Sequence, residues 1–216
     1  MEKHTQICYY APRLEQRQAK TQKELSKFGI EFQFFYGIDK NNLQDDDVIK
    51  GSKGAMACAL SHQALMNYAL NEGFDRIVVF EDDCRLCSDF NERIAYIEKN
   101  CPDFDMFMLG GHFETFDSMD EQSQPLVGNY LRKIDSCAGT YAYVINKKQM
   151  RELASWNKFY TPIDGWFSDV LLRSCRTYAF VPFLASCYKN YSEVQGKKLY
   201  HQQVDYHFQS QPVMLI

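Results

Sequence analysis

The sequence has no run of about 18 apolar residues, so it offers no membrane-spanning helix. It also has no Lys/Arg-rich block: 24 basic residues stand against 28 acidic ones, for a formal charge of −4. Gripping nucleic-acid backbones takes a basic face, so nucleic acid is excluded as a partner. An anionic ligand would need a local pocket in place of a global field. Repeats, low-complexity tracts and Pro/Gly/Ser linkers are absent, which points to one domain over residues 1–216. No basic segment leads into an apolar one near the start, so no secretory signal is read. The expected location is the cytoplasm, with room for peripheral membrane contact. The eight cysteines are then expected as reduced core residues and not as disulfides. Cys84 and Cys87 form one CxxC, but no second pair follows at zinc spacing.

What is present is the make-up of a packed core: 45% hydrophobic, 15% aromatic and 24% charged residues. Residues 7–10 read as a strand. Residues 13–28 read as a weakly amphipathic helix ended by Gly29, and 31–36 as an aromatic strand. Asp45-Asp46-Asp47 reads as a solvated turn or a helix cap. Met56, Leu60, Ala64 and Tyr68 at four-residue steps predict a helix after Gly54, which Gly73 stops. Residues 76–80 read as a buried strand, 90–97 as a helix and 105–109 as a strand. Further strands are expected at 126–134 and 137–145, helices at 147–156 and 163–173, and a strand at 178–183. Alternating strands and helices of these lengths argue for an α/β sheet flanked by helices, with ligands beyond the carboxyl ends of its strands.

Three segments carry candidate chemistry. The strand Arg76-Ile-Val-Val-Phe80 runs directly into Glu81-Asp82-Asp83. Like charges about 4 Å apart cost about 1–4 kcal/mol per pair near a surface, and a hard divalent cation would relieve them. On an extended chain Glu81 and Asp83 point the same way and Asp82 points elsewhere. An acidic turn capping the next helix fits the same residues. The second segment is Gly54-Ala-Met-Ala-Cys-Ala-Leu-Ser61-His62, whose small residues allow close approach of a backbone or ligand. His62 reads either as a satisfied core histidine or as a site residue. A hydrolase triad through Ser61 and His62 lacks its GxSxG elbow. The third is Cys137-Ala-Gly-Thr-Tyr-Ala-Tyr-Val-Ile145, followed by Thr161-Pro-Ile-Asp164-Gly-Trp-Phe. Asp164, beside aromatics, suits general-base work or a plain helix cap.

In this order and spacing the segments resemble glycosyltransferase family 25, the lipooligosaccharide and procollagen galactosyltransferase family. The motifs are Tyr10-Ala-Pro-Arg13-Leu-Glu-Gln-Arg17, Tyr36-Gly-Ile-Asp39-Lys40, the Ser-His helix over 54–62, the strand into Glu-Asp-Asp at 78–83, the Tyr-rich strand and Pro162-Ile-Asp164, then Pro182-Phe-Leu184 and Tyr191-Ser192-Glu193. Ala57 stands where the family has a second glycine, Glu193 where it has Asp, and Ala-Pro before Arg13 where it has Asn-Leu.

The resemblance implies a GT-A fold: a single Rossmann-like α/β domain with a mostly parallel sheet. It implies a metal-dependent inverting hexosyltransferase of the kind used in lipopolysaccharide biosynthesis. The donor would be a UDP-sugar, UDP-galactose ahead of UDP-glucose, with Mn²⁺ or Mg²⁺ on Glu81 and Asp83. Arg13, Arg17, Asp39, Gly54, Ser61, His62 and Asp82 would contact the donor. Inversion needs a base for the acceptor hydroxyl; Asp164 is the candidate and Asp169 the reserve. The acceptor would be a glycan, such as a lipooligosaccharide, or a hydroxylated collagen-like chain. Two other readings stay open: a catalytically silent nucleotide-sugar-binding module, and a metal-dependent phosphohydrolase. His112 and His201 carry no assigned role, and His207 reads as a surface histidine or, by the resemblance, as a further metal ligand.

Overall fold

A computed structural model describes residues 4–10, 15–50, 52–113, 123–127, 130–188, 191–192 and 197–198. Strand β1 (His4–Tyr10) leads to α1 (Glu15–Ser26), β2 (Gln33–Tyr36), a 3-10 turn (Lys40–Asn42) and α2 (Lys53–Asn71). Then come β3 (Arg76–Glu81), β4 (Cys84–Leu86), α3 (Phe90–Asn100) and β5 (Met106–His112). The hairpin β6 (Ser123–Val127) and β7 (Leu131–Ile134) precedes β8 (Ala138–Asn146) and α4 (Lys147–Ala154). Helix α5 (Ile163–Trp166) runs on through a π-wound turn, Phe167–Leu171, into a last turn, Leu172–Ser174. Strands β9 (Thr177–Phe180) and β10 (Ala185–Cys187) follow, then a separate small ladder of β11 (Tyr191–Ser192) and β12 (Lys197–Lys198).

The elements form where local chemistry asks for them. The Ser52 hydroxyl accepts the Ala55 N–H at 3.1 Å, satisfying one of the first orphan donors of α2, so the helix begins just before Gly54. Gly29 and Gly73 follow α1 and α2 at φ 68° and 76°, the left-handed exit expected of them. One expected strand, 126–134, is two: the break falls between Val127 and Leu131, where the sequence has Gly-Asn. The three-residue strands β4 and β10 are too short to leave a periodic trace in the sequence.

The ten-stranded sheet has the order β2-β1-β3-β8-β5-β9-β7-β6, with β10 beside β5 and β4. It is α/β as expected, but mixed and not mostly parallel. Strand β1 is parallel to β2 and β3, and β5 to β9, while β8 lies antiparallel between β3 and β5. Hydrophobic periodicity reports which face a side chain takes and not which way its strand runs, so the reversal of β8 left no mark in the pattern. The reversal has a consequence: the first residues of β8 lie at the carboxyl ends of β3 and β5, with Ala138 opposite His112 and Ala142 opposite Phe80.

Both faces of the sheet are covered, and side chains alternate between two cores. Ile77, Val79, Met106, Met108, Tyr143 and Ile145 pack with Leu65, Met66, Leu153 and Trp166 under α2, α4 and α5. Phe80, Phe107, Leu109 and Ala142 pack with Leu25, Phe90, Ile97 and Phe180 under α1 and α3. Each fully buried aliphatic or Phe contributes about 1.5–3 kcal/mol. The cysteines at 58, 84, 87, 101, 137, 175 and 187 are all thiols, as expected. Cys84 and Cys87 are fully buried, and burial pushes the Cys87 thiol up to about 12. No helix among the described residues is long and apolar enough to cross a membrane.

Candidate functional site

The site sits where the carboxyl ends of β2, β3 and β5 meet the start of β8. Strand β3 ends at Glu81, and Asp82 and Asp83 form the turn into β4. That corrects the alternation argument, which needed extended backbone through residue 83. Asp82 does not face away: one Arg17 nitrogen lies 3.1 Å from Asp82 and 3.8 Å from Asp83. Helix α1 is fastened along this turn by one of its faces. Arg17 holds the two carboxylates, the Thr21 hydroxyl donates to the Asp82 carbonyl at 2.6 Å, and Glu24 accepts the Leu86 N–H at 3.0 Å. From the other side, the Tyr188 N–H donates to the Asp83 carbonyl at 2.9 Å.

Asp82 and Asp83 thus share one guanidinium, with Glu81 next to them in sequence. Burial raises the Asp83 carboxyl above its ordinary value, and the charges of Glu81 and Asp82 raise it further, with Arg17 only partly opposing them. The donor set is oxygen-rich and short of positive charge, the condition a divalent cation relieves. The residues therefore fit the expected metal.

Glu81 has a second set of partners. Its Oε1 accepts from the Thr140 hydroxyl at 2.5 Å, a short charge-assisted bond, and lies 3.5 Å from His62 Nε2. His62 is fully buried, and its Nδ1 pairs with the Tyr143 hydroxyl at 2.6 Å. Burial, with Glu81 and Cys58 alongside, pushes the Tyr143 phenol well up, so it stays neutral. Cys58, one helical turn before His62, completes a group whose ligand atoms all lie within 4.8 Å of one another. Sequence reasoning did not single out Cys58, Thr140 or Tyr143 for roles. The Cys58-x-x-x-His62 spacing was the available signal, since residues four apart share a helix face.

Asp164 is brought to the same place. Its Oδ2 accepts the Gly139 N–H at 3.1 Å and its Oδ1 accepts from Gly165 at 2.9 Å. Gly139 and Thr140, adjacent in β8, thus hold Asp164 and Glu81 respectively. Gly139 is required for its backbone: φ is 80°, and a Cβ there would lie 2.6 Å from the Tyr141 ring. One turn after Asp164, Ser168 donates to the Cys137 carbonyl at 2.9 Å, fastening the helix to the approach to β8. Burial and the Asp164 charge push the Cys137 thiol up to about 12. Asp169 is exposed on the π-wound turn.

The other expected residues are placed as follows. Ser61 is buried; its hydroxyl donates to the Ala57 carbonyl at 2.6 Å and accepts the Ile38 N–H at 2.8 Å. It pins the loop after β2, and these partners leave no Ser-His relay for a hydrolase. Asp39, on that loop, caps the 3-10 turn by accepting from Asn41 at 2.9 Å. Gly54 is buried in the first turn of α2. His112 ends β5, stacked on Tyr141 with its Nδ1 3.1 Å from the phenol oxygen. The Tyr141 phenol is pushed well up by burial, and then by Cys187, Glu81 and Asp83. Arg13, Glu193, His201 and His207 fall outside the described residues.

Residues 13–167 match the model of glycosyltransferase family 25, described as an LPS biosynthesis protein family. The chain is 28% identical over 161 residues to the lipooligosaccharide biosynthesis protein lic2B of Haemophilus influenzae. That match covers 65% of this chain and 58% of the relative, so the chain matches little more than half of the relative's length. Among solved structures, a glycosyltransferase involved in glycosylation of the major capsid of PBCV-1 is 12% identical, with a TM-score of 0.44 over 78% of this chain and 76% of that one. A197 from STIV is likewise 12% identical with a TM-score of 0.44, over 94% and 96% of the two chains. The matched stretch holds every motif from Arg13 to Asp164, and on that coverage the chain belongs to glycosyltransferase family 25.

Proposed function

We propose that this protein is a metal-dependent inverting glycosyltransferase that moves a hexose, galactose or else glucose, from a UDP-sugar to a glycan or hydroxylated-protein acceptor. One observation carries the reading: consecutive residues of β8 hold a carboxylate at the end of β3 and a second carboxylate on α5. Glu81 thereby belongs to the acidic turn, and Asp164 stands apart from it on its own support. Inverting transfer needs that division of labour, charge compensation at the leaving group and a base at the incoming hydroxyl. The name of the Haemophilus influenzae relative favours a lipooligosaccharide-type glycan as acceptor.

In this reading Glu81 and Asp83 hold Mn²⁺ or Mg²⁺, which when bound supplies Lewis-acid stabilisation of the departing nucleoside diphosphate. Arg17 sets the acidic turn and brings a positive charge to the side of the site where the diphosphate is expected. Asp39, placed by the loop that Ser61 pins, contacts the nucleoside. Asp164 Oδ2, oriented by the Gly139 N–H, takes the proton of the acceptor hydroxyl as that oxygen attacks the anomeric carbon and the bond to the diphosphate breaks. The expected site is cytoplasmic, at a face that lipid-linked acceptors can reach.

The test is a panel of UDP- and GDP-sugars scored for Mn²⁺-dependent turnover. UDP-galactose or UDP-glucose should give the strongest signal, abolished by chelation. Asp164→Asn should lower transfer by about 10²–10⁴-fold, the usual worth of a general base, with UDP binding nearly intact. Normal turnover by Asp164→Asn would remove the base assignment, and absence of any nucleotide-sugar binding would remove the reading.

A further inference from the structure

The acidic turn does not account for the group beneath it. Cys58 and His62 project from one face of α2 toward Glu81, and the three ligand atoms lie within 4.8 Å of one another. Cysteine sulfur and imidazole are poor partners for Mg²⁺ but favour softer ions. Tetrahedral zinc, with bonds of about 2.0–2.3 Å, places neighbouring ligand atoms about 3.3–3.8 Å apart. The His62 Nε2 to Glu81 Oε1 distance is already 3.5 Å.

The outer contacts of such a site are also in place. A ligating histidine holds its other ring nitrogen on a partner that sets the tautomer, and a ligating carboxylate is itself hydrogen-bonded. Here the Tyr143 hydroxyl sits 2.6 Å from His62 Nδ1, and the Thr140 hydroxyl donates to Glu81 at 2.5 Å. In the tautomer whose Nδ1 proton points to Tyr143, Nε2 presents a lone pair toward Glu81, and a cation between the two would stabilise that tautomer. Cys58 and Glu81 are half-buried and His62 is fully buried.

We propose that Cys58, His62 and Glu81 form a second cation site, selective for a thiophilic divalent ion of the zinc class, with a fourth position left to water or substrate. Binding replaces the Cys58 S–H bond with a sulfur–metal bond and releases that proton to solvent. The site differs from the hard-cation site in two of its ligands and shares Glu81 with it. Occupancy therefore draws this carboxylate away from the acidic turn. The site itself does not depend on glycosyl transfer being the protein's activity.

The experiment uses Co²⁺ as a spectroscopic probe on the full chain after treatment with chelator. One equivalent should bind with a thiolate-to-cobalt charge-transfer band and the strong visible bands of four-coordinate cobalt. Both should vanish in Cys58→Ser and persist in Asp83→Asn and in the Cys84→Ala/Cys87→Ala double variant. Tyr143→Phe should weaken binding about 10–100-fold, as expected for losing an outer contact. Wild-type protein without the thiolate band, a band that survives Cys58→Ser, or one lost with Cys84 and Cys87 would overturn the site. Cobalt held by oxygens alone gives no thiolate band, so failure here is distinguishable from failure of the sugar-nucleotide reading.

Discussion

Glu24 joins stability to the site through one helix face. It is 5% exposed, and it accepts from the Leu86 N–H at 3.0 Å, from Lys27 at 2.6 Å and from the Tyr188 hydroxyl at 3.2 Å. Burial pushes its carboxyl up, but the Lys27, Leu86 and Tyr188 contacts outweigh it and the net displacement is downward. Glu24→Gln retains an oxygen for Leu86 but loses the charge, the Tyr188 bond at full strength and the Lys27 pair. Lys27 is 56% exposed, so solvent screening discounts its part. The loss should total about 2 kcal/mol, mostly from the two buried contacts, which is roughly 1 M in the urea midpoint. A carboxyl lowered by folding stabilises fully above the unfolded value near 4.5, and that contribution disappears as pH falls through the folded value. Urea unfolding of the wild type and Glu24→Gln should therefore show the full gap at neutral pH and a closing gap below about pH 4. An equal gap at both pH values, or none at neutral pH, would refute the account of α1 as clamped by a buried carboxylate.

The start of β8 yields two more expectations. Thr140→Val keeps the shape but removes the donor to Glu81, worth about 1.5–3 kcal/mol for a bond to a charged group. Donor turnover should fall about 10- to 150-fold, with the thermal midpoint lowered by several degrees as the same bond is lost; unchanged turnover would show that Thr140 does not set Glu81. Gly139→Ala must hold φ 80° and displace Tyr141, whereas Gly29→Ala holds φ 68° in open space. Both should lose stability by about 1–2 kcal/mol from the backbone alone, and Gly139→Ala should lose more in thermal melts. Equal losses would mean that the Tyr141 ring moves aside without consequence.

Much of this protein was legible before folding was considered. The β-branched run at 76–80 marked a buried strand, the four-residue steps from Met56 to Tyr68 marked a helix but not its buried face, which Ala55, Ala59, Leu65, Met66 and Ala69 supply, and Gly29 and Gly73 marked where helices stop. The motif order from Arg13 to Asp164 indicated the family, because spacing along a chain survives in the sequence itself. Tertiary structure decided the rest. Strand direction leaves no periodic trace, so only the fold shows β8 reversed, with Gly139 and Thr140 lying between two carboxylates 83 positions apart in number, Glu81 and Asp164. Where β3 ends was likewise a matter of contacts: Arg17, Thr21 and the Tyr188 N–H turn the chain after Glu81 and bring Asp82 to the same guanidinium as Asp83. Local pattern specifies which segments extend and which coil. Which charges face one another depends on elements far apart in sequence, and that is settled only when helices and strands pack.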